Sequence, residues 1–307
     1  AAGYRIPKTS SRAITSPSGT ADTMDTLAPV DLTLAQMRKV VDQEGGCIAW
    51  GGSVGLSPAD DVLIRVERPL DFDGDAQLVA SVLSKKIAAG ASHVILDLPM
   101  GPTAKIRTQE AGQKLGARLT AVADALGLRV HLHPSDGTQP VGNGIGPALE
   151  ARDVLAVLAR APGAPEDLRE RALDLAGHLL ELGGEPMGQG RKKATALLDS
   201  GAAEAKFMAI CAAQGGQRVP RIAEYRAPVL SPAKGVITKI DNRLISRIAK
   251  LAGAPRAQAA GIELHVRVGH AVERGQPLMT IHAESPGELA YAMAYHARHA
   301  RAFILQH

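Results

Sequence analysis

Short apolar runs that alternate with amphipathic segments constrain the fold of this chain more than any other feature of its sequence. Three runs, at residues 47–50, 93–98 and 129–133, are flanked by turn-forming residues and have the length of buried strands. Between the last two, apolar residues recur every three or four positions, which predicts a helix from about residue 108 to 125 that ends at Gly127. A strand, a helix and a strand in this order predict an α/β domain with a parallel sheet.

Two further changes of pattern divide the chain. A mostly helical segment is predicted at residues 149–215, with interruptions at residues 161–165 and 183–186, where proline and glycine accumulate. From about residue 226, alternating apolar positions and spaced glycines predict strands instead. We therefore predict an α/β domain at residues 1–225 and a small β-rich domain at residues 226–307.

Residues 9–20 are rich in hydroxyl groups and lead into a predicted helix. Eight of these twelve residues are Ser, Thr or Gly, and Thr20 occupies the position of a helix N-cap. Unpaired backbone N–H groups at a helix start, together with flanking hydroxyls, bind phosphate groups. The segment is therefore a candidate anion site, and the alternative is a polar loop that only caps a helix.

The composition limits the compartment and the partners. Cys47 and Cys211 are the only cysteines, which excludes a disulfide framework and favours a reducing compartment, the cytoplasm. The apolar stretches are shorter than the roughly 18 residues of a membrane span, so no membrane partner is expected. A net charge of +4 suits an anionic ligand, but with 3% aromatic residues and no basic patch between aromatics, no nucleic-acid partner is expected.

Three other patterns have simpler explanations than a catalytic one. Residues 142–146 contain three glycines without the spacing of a dinucleotide-binding loop, so they predict a turn and a helix start. Ser81 and Ser84 lack the spacing to a lysine that a Ser-x-x-Lys hydrolase needs. Two histidine pairs could bind a metal, but packed or solvated histidines are several times more frequent, so no metal site is predicted. These pairs are His131 with His133 and His296 with His299.

Four blocks of the sequence resemble the class II nucleoside phosphorylases, in the branch that holds AMP phosphorylases and thymidine phosphorylases. The blocks lie at residues 11–22 (SRAITSPSGTAD), 56–60 (LSPAD), 80–86 (ASVLSKK) and 95–105 (ILDLPMGPTAK). They follow the family's order, and the resemblance covers nearly all 307 residues. It implies phosphorolysis of a nucleoside N-glycosidic bond. The implied partners are a nucleoside or nucleotide and inorganic phosphate as co-substrate, with no organic cofactor and no catalytic metal.

The resemblance also implies roles for individual residues. Asp73, which lies between Asp71 and Asp75, would donate a proton to the leaving base, because neighbouring carboxylates favour the protonated form of a carboxyl group. The alternative is an exposed acidic turn. The residues implied for phosphate and sugar binding are Ser11, Arg12, Ala13, Ile14, Thr15, Ser16 and Thr20.

The base would be held by a second group of residues. Ser81 and Lys85 are four positions apart on a predicted helix, so their side chains share one face, and the alternative is a solvated pair of lysines at 85 and 86. Arg68 is the implied third member, with Arg65 as a competitor. Lys105 matches a further position that contacts the nucleotide, where a cation neutralises base or phosphate charge.

The C-terminal domain has a resemblance of its own. Residues 268–281 are similar to the hammerhead hairpin of biotinyl and lipoyl carrier domains, a barrel-sandwich architecture that is structural in nucleoside phosphorylases. The rival functions are a swinging-arm carrier and a non-catalytic binding fragment. A carrier needs a lysine at a hairpin tip inside Met-Lys-Met or Asp-Lys-Ala, and Lys234 and Lys239 lie in neither context.

The substrate and the extent of the enzyme stay open on the sequence alone. Thymidine and a nucleoside 5′-monophosphate are both compatible with the motifs, and the resemblance implies a homodimer or larger homo-oligomer. Family members carry a helical domain and a Gly-rich phosphate segment before the hydroxyl-rich block. We therefore expect this chain to be the C-terminal three-fifths or so of such an enzyme, through engineered truncation, proteolysis or gene splitting, and to be folded but nearly inactive alone.

Overall fold

The structure, a computed structural model, describes residues 1–54 and 75–306, without the side chains of residues 75–78 and 81. Its first elements are β1 (Ile6–Ser10), α1 (Thr20–Asp25), α2 (Leu34–Glu44), β2 (Gly46–Trp50), α3 (Gly51–Val54), α4 (Asp75–Ala88), β3 (His93–Met100), α5 (Gln109–Ala125) and β4 (Arg129–Asp136). They are followed by β5 (Gly144–Ile145), α6 (Pro147–Leu158), α7 (Glu166–Leu182), α8 (Gly190–Asp199) and α9 (Ala202–Ala213).

Two parallel strand pairs form the α/β part of the described chain. β1 pairs with β2, and β3 pairs with β4 along the whole of both strands. Helix α5 connects β3 to β4 and buries Leu115 and Leu119 against them, in one hydrophobic cluster with Val94. Gly116 lets the helix lie close to the sheet, because an added Cβ would lie only 2.8 Å from Cδ1 of Leu132.

The helices after β4 pack on one another and on the strand pairs. α7 and α8 share an apolar cluster that includes Leu173, Leu180 and Leu198. The segment after α9 is tied to β2 by the buried side chain of Gln214. Its amide oxygen accepts a hydrogen bond from the backbone N–H of Ile48, and its amide nitrogen donates to the carbonyl oxygens of Ile48 and Pro29. These bonds satisfy a buried amide fully and fix the helical segment against the strands.

The C-terminal part is a two-sheet β structure with two helices. Its elements are β6 (Tyr225–Leu230), β7 (Gly235–Ile240), α10 (Asn242–Leu251), β8 (Gly261–Leu264), β9 (Ala271–Val272), β10 (Pro277–Ala283), α11 (Pro286–Arg298) and β11 (Phe303–Gln306). One antiparallel sheet has the order β5-β8-β10-β6, and the other has the order β11-β7-β9. Their shared core is rich in isoleucine, including the fully buried Ile237, Ile262 and Ile281.

The predicted fold class is confirmed: an α/β part with parallel strands precedes a small antiparallel β domain. The three predicted strands are β2, β3 and β4, and the predicted crossover helix is α5. The expectation of a buried strand is wrong for β4, none of whose residues is buried, because it pairs only with β3 in a two-stranded sheet. Within residues 142–146, the expected turn also contains β5, which pairs with β8 of the C-terminal sheet. The division at residue 226 stays a prediction. Of the helices in the described part of the chain, none combines the length and apolar composition that a bilayer crossing requires.

Candidate functional site

The hydroxyl-rich segment forms a loop from the end of β1 to the start of α1, and Asp22 closes it. One carboxylate oxygen of Asp22 accepts hydrogen bonds from the backbone N–H groups of Ala13, at 2.6 Å, and Gly19, at 3.0 Å. Gly19 packs directly on the other side of the loop, because an added Cβ would lie 2.6 Å from the carbonyl oxygen of Ser11. The loop is therefore held by a buried carboxylate and a close backbone contact that only glycine permits.

The start of α1 differs from the prediction made for it. Gly19 is the N-cap and Thr20 is the first helical residue, so the predicted N-cap role of Thr20 is wrong. The reason is the Asp22 side chain, which reaches back to the N–H of Gly19 and supplies the cap from inside the helix. Because Asp22 also occupies the N–H of Ala13, that group is already bonded. The Thr20 side chain is exposed at the loop surface.

Arg12 is bound inside the loop by several carboxylates. Its guanidinium lies 3.3 Å from Asp22, 3.1 Å from Asp25 and 3.3 Å from Asp31, and it sits 5.1 Å from the centre of the Trp50 ring. Although partial burial opposes the charged form, these carboxylates raise the pKa of Arg12 above its usual value. Its charge is therefore matched within the protein, and its predicted contact with phosphate stays a prediction.

The loop lines a cavity of about 260 Å³. Its lining consists of Ser10, Ser11, Arg12, Ile14, Thr15, Ser16, Gly19, Thr20 and Lys105. Lys105 comes from the loop after β3, so the fold brings together two parts of the sequence that were assigned to ligand binding separately. Since α1 has only six residues, an anion in this cavity would depend more on the hydroxyls and the lysine than on the helix dipole.

The C-terminal domain supports both sides of this cavity. The Lys250 ammonium donates to the carbonyl oxygen of Thr15 at 3.2 Å. On the other side, the backbone N–H of Asn242 donates to the Thr103 hydroxyl at 3.3 Å, two residues before Lys105. The side-chain amide of Asn242 also donates to the carbonyl oxygen of Gly137, which fixes the loop after β4.

Three lysines gather beside the cavity, at the carboxyl end of β1. The ammonium groups of Lys8 and Lys86 donate to the carbonyl oxygen of Thr9, at 3.5 and 3.3 Å. Lys85 is buried, and its side chain lies near Gly51, close to the backbone of the cavity residue Ser10. Lys85 is thus not the solvated lysine of the alternative interpretation.

The charges of these lysines act on one another. Burial first, and then the positive charges of Lys8 and Lys85, lower the pKa of Lys86 to about 8. Burial also lowers the pKa of Lys8. A cluster of partly desolvated ammonium groups is poised to receive a negative charge.

A buried carboxyl group lies beneath the loop. Glu150 accepts a hydrogen bond from the Thr23 hydroxyl at 2.8 Å and another from the backbone N–H of Gly146 at 3.1 Å. Thr23 in turn shares a hydrogen bond with the Ser18 hydroxyl. Burial raises the pKa of Glu150 to about 7, in spite of these bonds to its charged form. A carboxyl group with a pKa near neutral pH is therefore hydrogen-bonded to α1, directly after the loop.

Several of the predicted site residues are not placed by the structure. Arg68, its competitor Arg65, and Asp73 lie outside the described residues, as does the side chain of Ser81. Ser81 and Lys85 do both belong to α4, as their spacing predicts. Another cleft, of about 360 Å³, lies between α6, α7 and α8, but its Arg160 and Arg169 are ion-paired with Glu204 and Asp199.

Three important residues of this region were given no individual role from the sequence. Ser10 belongs to the hydroxyl-rich segment and could have been singled out because it ends a strand of a parallel sheet, which is where ligands bind in such folds. Asp22 stands three residues after Gly19, the spacing at which an acidic side chain caps a helix from within. Lys86 gave no signal, because its proximity to Lys8 arises only when α4 packs beside β1.

Comparison with known proteins identifies the family. Residues 1–204 match the family model described as "Glycosyl transferase family, a/b domain", and residues 236–300 match the one described as "Pyrimidine nucleoside phosphorylase C-terminal domain". The chain therefore belongs to the glycosyl transferase family that carries this a/b domain.

Individual relatives are more specific in name. The chain is 62% identical to "Putative thymidine phosphorylase 2" of Acidovorax sp. (strain JS42), over 96% of its own length. Two further relatives are both named "Putative thymidine phosphorylase". The chain is 61% identical to the one from Polaromonas sp. (strain JS666 / ATCC BAA-500), over 98% of its own length, and 60% identical to the one from Legionella pneumophila (strain Paris), over 94% of its own length. It spans 58%, 59% and 56% of these three proteins.

Proposed function

We propose that this chain takes part in the phosphorolysis of thymidine, as a pentosyltransferase that converts thymidine and inorganic phosphate into thymine and 2-deoxyribose 1-phosphate. The observation that carries the proposal is the cavity in which the hydroxyl-rich loop and Lys105 meet, next to buried Lys85. The names of the relatives support thymidine as the nucleoside. The two buried, unpaired cysteines support a reducing compartment, and we propose the cytoplasm.

The proposed chemistry needs groups for phosphate, sugar and base. The bond from C1′ to the base breaks through an oxocarbenium-like state while a phosphate oxygen forms the new bond to C1′. Hydroxyls of Ser10, Thr15 and Thr20 donate to the phosphate or sugar, and Lys105 offsets the phosphate charge. Lys85 binds a carbonyl oxygen of the base, where negative charge develops. Asp73 supplies the proton that the leaving base takes up.

A nucleoside 5′-monophosphate is the second candidate substrate. Lys105 favours this substrate. Its ammonium-bearing side chain lines the same cavity as five hydroxyl-bearing residues and Gly19, and it would suit a second phosphate group. Thymidine carries no such group. The two candidates therefore predict losses of activity of different size for Lys105→Ala: a modest loss if the substrate is thymidine, and a much larger loss if it is a monophosphate.

The decisive experiment is a phosphorolysis assay that measures the released base. We would join the chain to the segment of the Acidovorax relative that lies outside the match, and offer thymidine, uridine, AMP, CMP and UMP with phosphate. Thymine from thymidine, with KM for phosphate raised at least about tenfold by Thr20→Ala, is the expected result. Because Thr20 is exposed, the Thr20→Ala variant should keep the melting temperature of the unaltered enzyme. Ser200→Ala is the control, because Ser200 is exposed as well.

Two outcomes would contradict the proposal. If none of the five compounds releases its base, the proposed phosphorolysis is wrong. Full activity of Thr20→Ala with an unchanged KM for phosphate would remove the hydroxyl-rich loop from the phosphate site.

A further inference from the structure

Three histidines that the proposed reaction does not use meet where α7 packs on β4. His131 and His133 are two residues apart on β4, so both side chains lie on one face of the strand. His178 faces them from α7. One ring nitrogen of each histidine lies within 4.8 Å of those of the other two. The ring of His178 stacks on that of His131 with centroids 4.8 Å apart, and it is tilted against that of His133 at 5.2 Å.

A polar anchor holds the helix and the strand in this register. Arg171 lies seven residues, or two turns, before His178 and so shares its helix face. Its guanidinium lies 3.0 Å from the carboxylate of Asp97 and donates to the Ser135 hydroxyl at 2.9 Å. Ser135 follows His133 by two residues on the same face of β4. The anchor therefore fixes α7 so that His178 stands opposite the two strand histidines.

The donor set selects a class of ligand. Imidazole nitrogens are good ligands for Zn²⁺, Cu²⁺ and Ni²⁺ and poor ones for Mg²⁺ or Ca²⁺, which prefer oxygen. A tetrahedral Zn²⁺ with Zn–N bonds of about 2.1 Å separates its nitrogen ligands by about 3.4 Å. The three rings would have to close by about 1 Å or more, which rotations about their side-chain torsions can supply. All three rings are half-buried, so solvent can deliver the ion.

We propose that His131, His133 and His178 form a binding site for one divalent transition-metal ion, Zn²⁺ in the first place, which ties α7 to β4. A water molecule completes the coordination. Glu181, one turn after His178 on the same helix, adds negative charge on the side of the site that faces α7. The ion joins the helical segment to the parallel strands and stabilises their contact, outside the cavity assigned to phosphate.

The test is a titration of the chain, without a polyhistidine tag, with ZnCl₂ after removal of metals by EDTA and dialysis. Calorimetry should give one Zn²⁺ per chain, and the melting temperature should rise with Zn²⁺ concentration. His178→Asn and, separately, His133→Asn should each lower the affinity by about a hundredfold or more. Bound Co²⁺ should give the strong visible absorption of a four-coordinate ion in the unaltered chain and in neither cluster variant.

His270→Asn is the matched control, because His270 is exposed and distant in sequence from the cluster. It should retain the affinity and the stoichiometry of the unaltered chain. The proposal is overturned if Zn²⁺ binding is not saturable, if either cluster variant keeps the original affinity, or if His270→Asn loses as much. Far-UV circular dichroism of the metal-free proteins shows whether a cluster variant fails to fold. If one of them does, the affinity of the other cluster variant tests the proposal.

Discussion

Replacing Asp22 with alanine should unfasten the loop that lines the candidate phosphate cavity. The side chain is only 10% exposed and accepts hydrogen bonds from the N–H groups of Ala13 and Gly19, besides its contact with Arg12. A hydrogen bond to a charged group contributes about 1.5–3 kcal/mol, and an N–H left without a partner costs a similar amount. Because the loop is near the surface and water can enter, we expect a loss of about 3 kcal/mol in the free energy of unfolding.

The assay is urea unfolding followed by the fluorescence of Trp50, the only tryptophan of the chain. This residue also reports on the loop itself, since the Arg12 guanidinium lies 5.1 Å from its ring centre. The matched control is Asp31→Ala. Asp31 also contacts Arg12, but its side chain is 58% exposed, so we expect a loss of at most about 1 kcal/mol.

The comparison of these two variants decides whether the argument holds. A loss below about 1 kcal/mol for Asp22→Ala, or a loss equal to that of Asp31→Ala, would refute the view that a buried carboxylate organises the loop. Asp22→Asn should fall between the two, because it keeps an acceptor oxygen but no charge. Among these variants, those that lose more stability should also bind phosphate more weakly.

Three further predictions concern individual side chains. Because the pKa of Glu150 is raised from 4.5 to about 7 on folding, its contribution to stability is complete below pH 4.5 and is lost as the pH rises through 7. The difference in unfolding free energy between the unaltered chain and Glu150→Gln should therefore change by on the order of 2–3 kcal/mol between pH 4.5 and 8, and a constant difference would contradict this. In the joined enzyme, Lys85→Ala should raise KM for thymidine and change the preference among bases, while the variant keeps its secondary structure. An unaltered base preference would exclude Lys85 from base recognition. Asp73→Asn should lower kcat about a hundredfold or more, and Asp75→Asn far less, whereas equal small effects would rule out Asp73 as the proton donor.

The sequence by itself determined the local elements and their order. α5 extends over Gln109–Ala125, where the spacing of apolar residues predicted a helix from 108 to 125, because capping by Thr108 and a glycine at 127 are local signals. The strands β2, β3 and β4 were predicted from short apolar runs between turn-forming residues, which are local signals too. The parallel arrangement followed from the helix between two such runs, and the change of composition near residue 226 marked the β-rich part.

Only the tertiary structure decided which distant groups meet. Lys105 reaches the hydroxyl-rich loop because the loops after β1 and β3 line one cavity and Asn242 of the C-terminal domain holds the loop that carries Lys105. The same applies to Lys86 beside Lys8, and to His178 over the pair on β4. Strand β5 joins a sheet whose other strands begin only at Tyr225, in the C-terminal part of the chain, which no local pattern indicates. Periodicity records which face of an element is buried, whereas the partner on that face depends on packing between elements far apart in the chain.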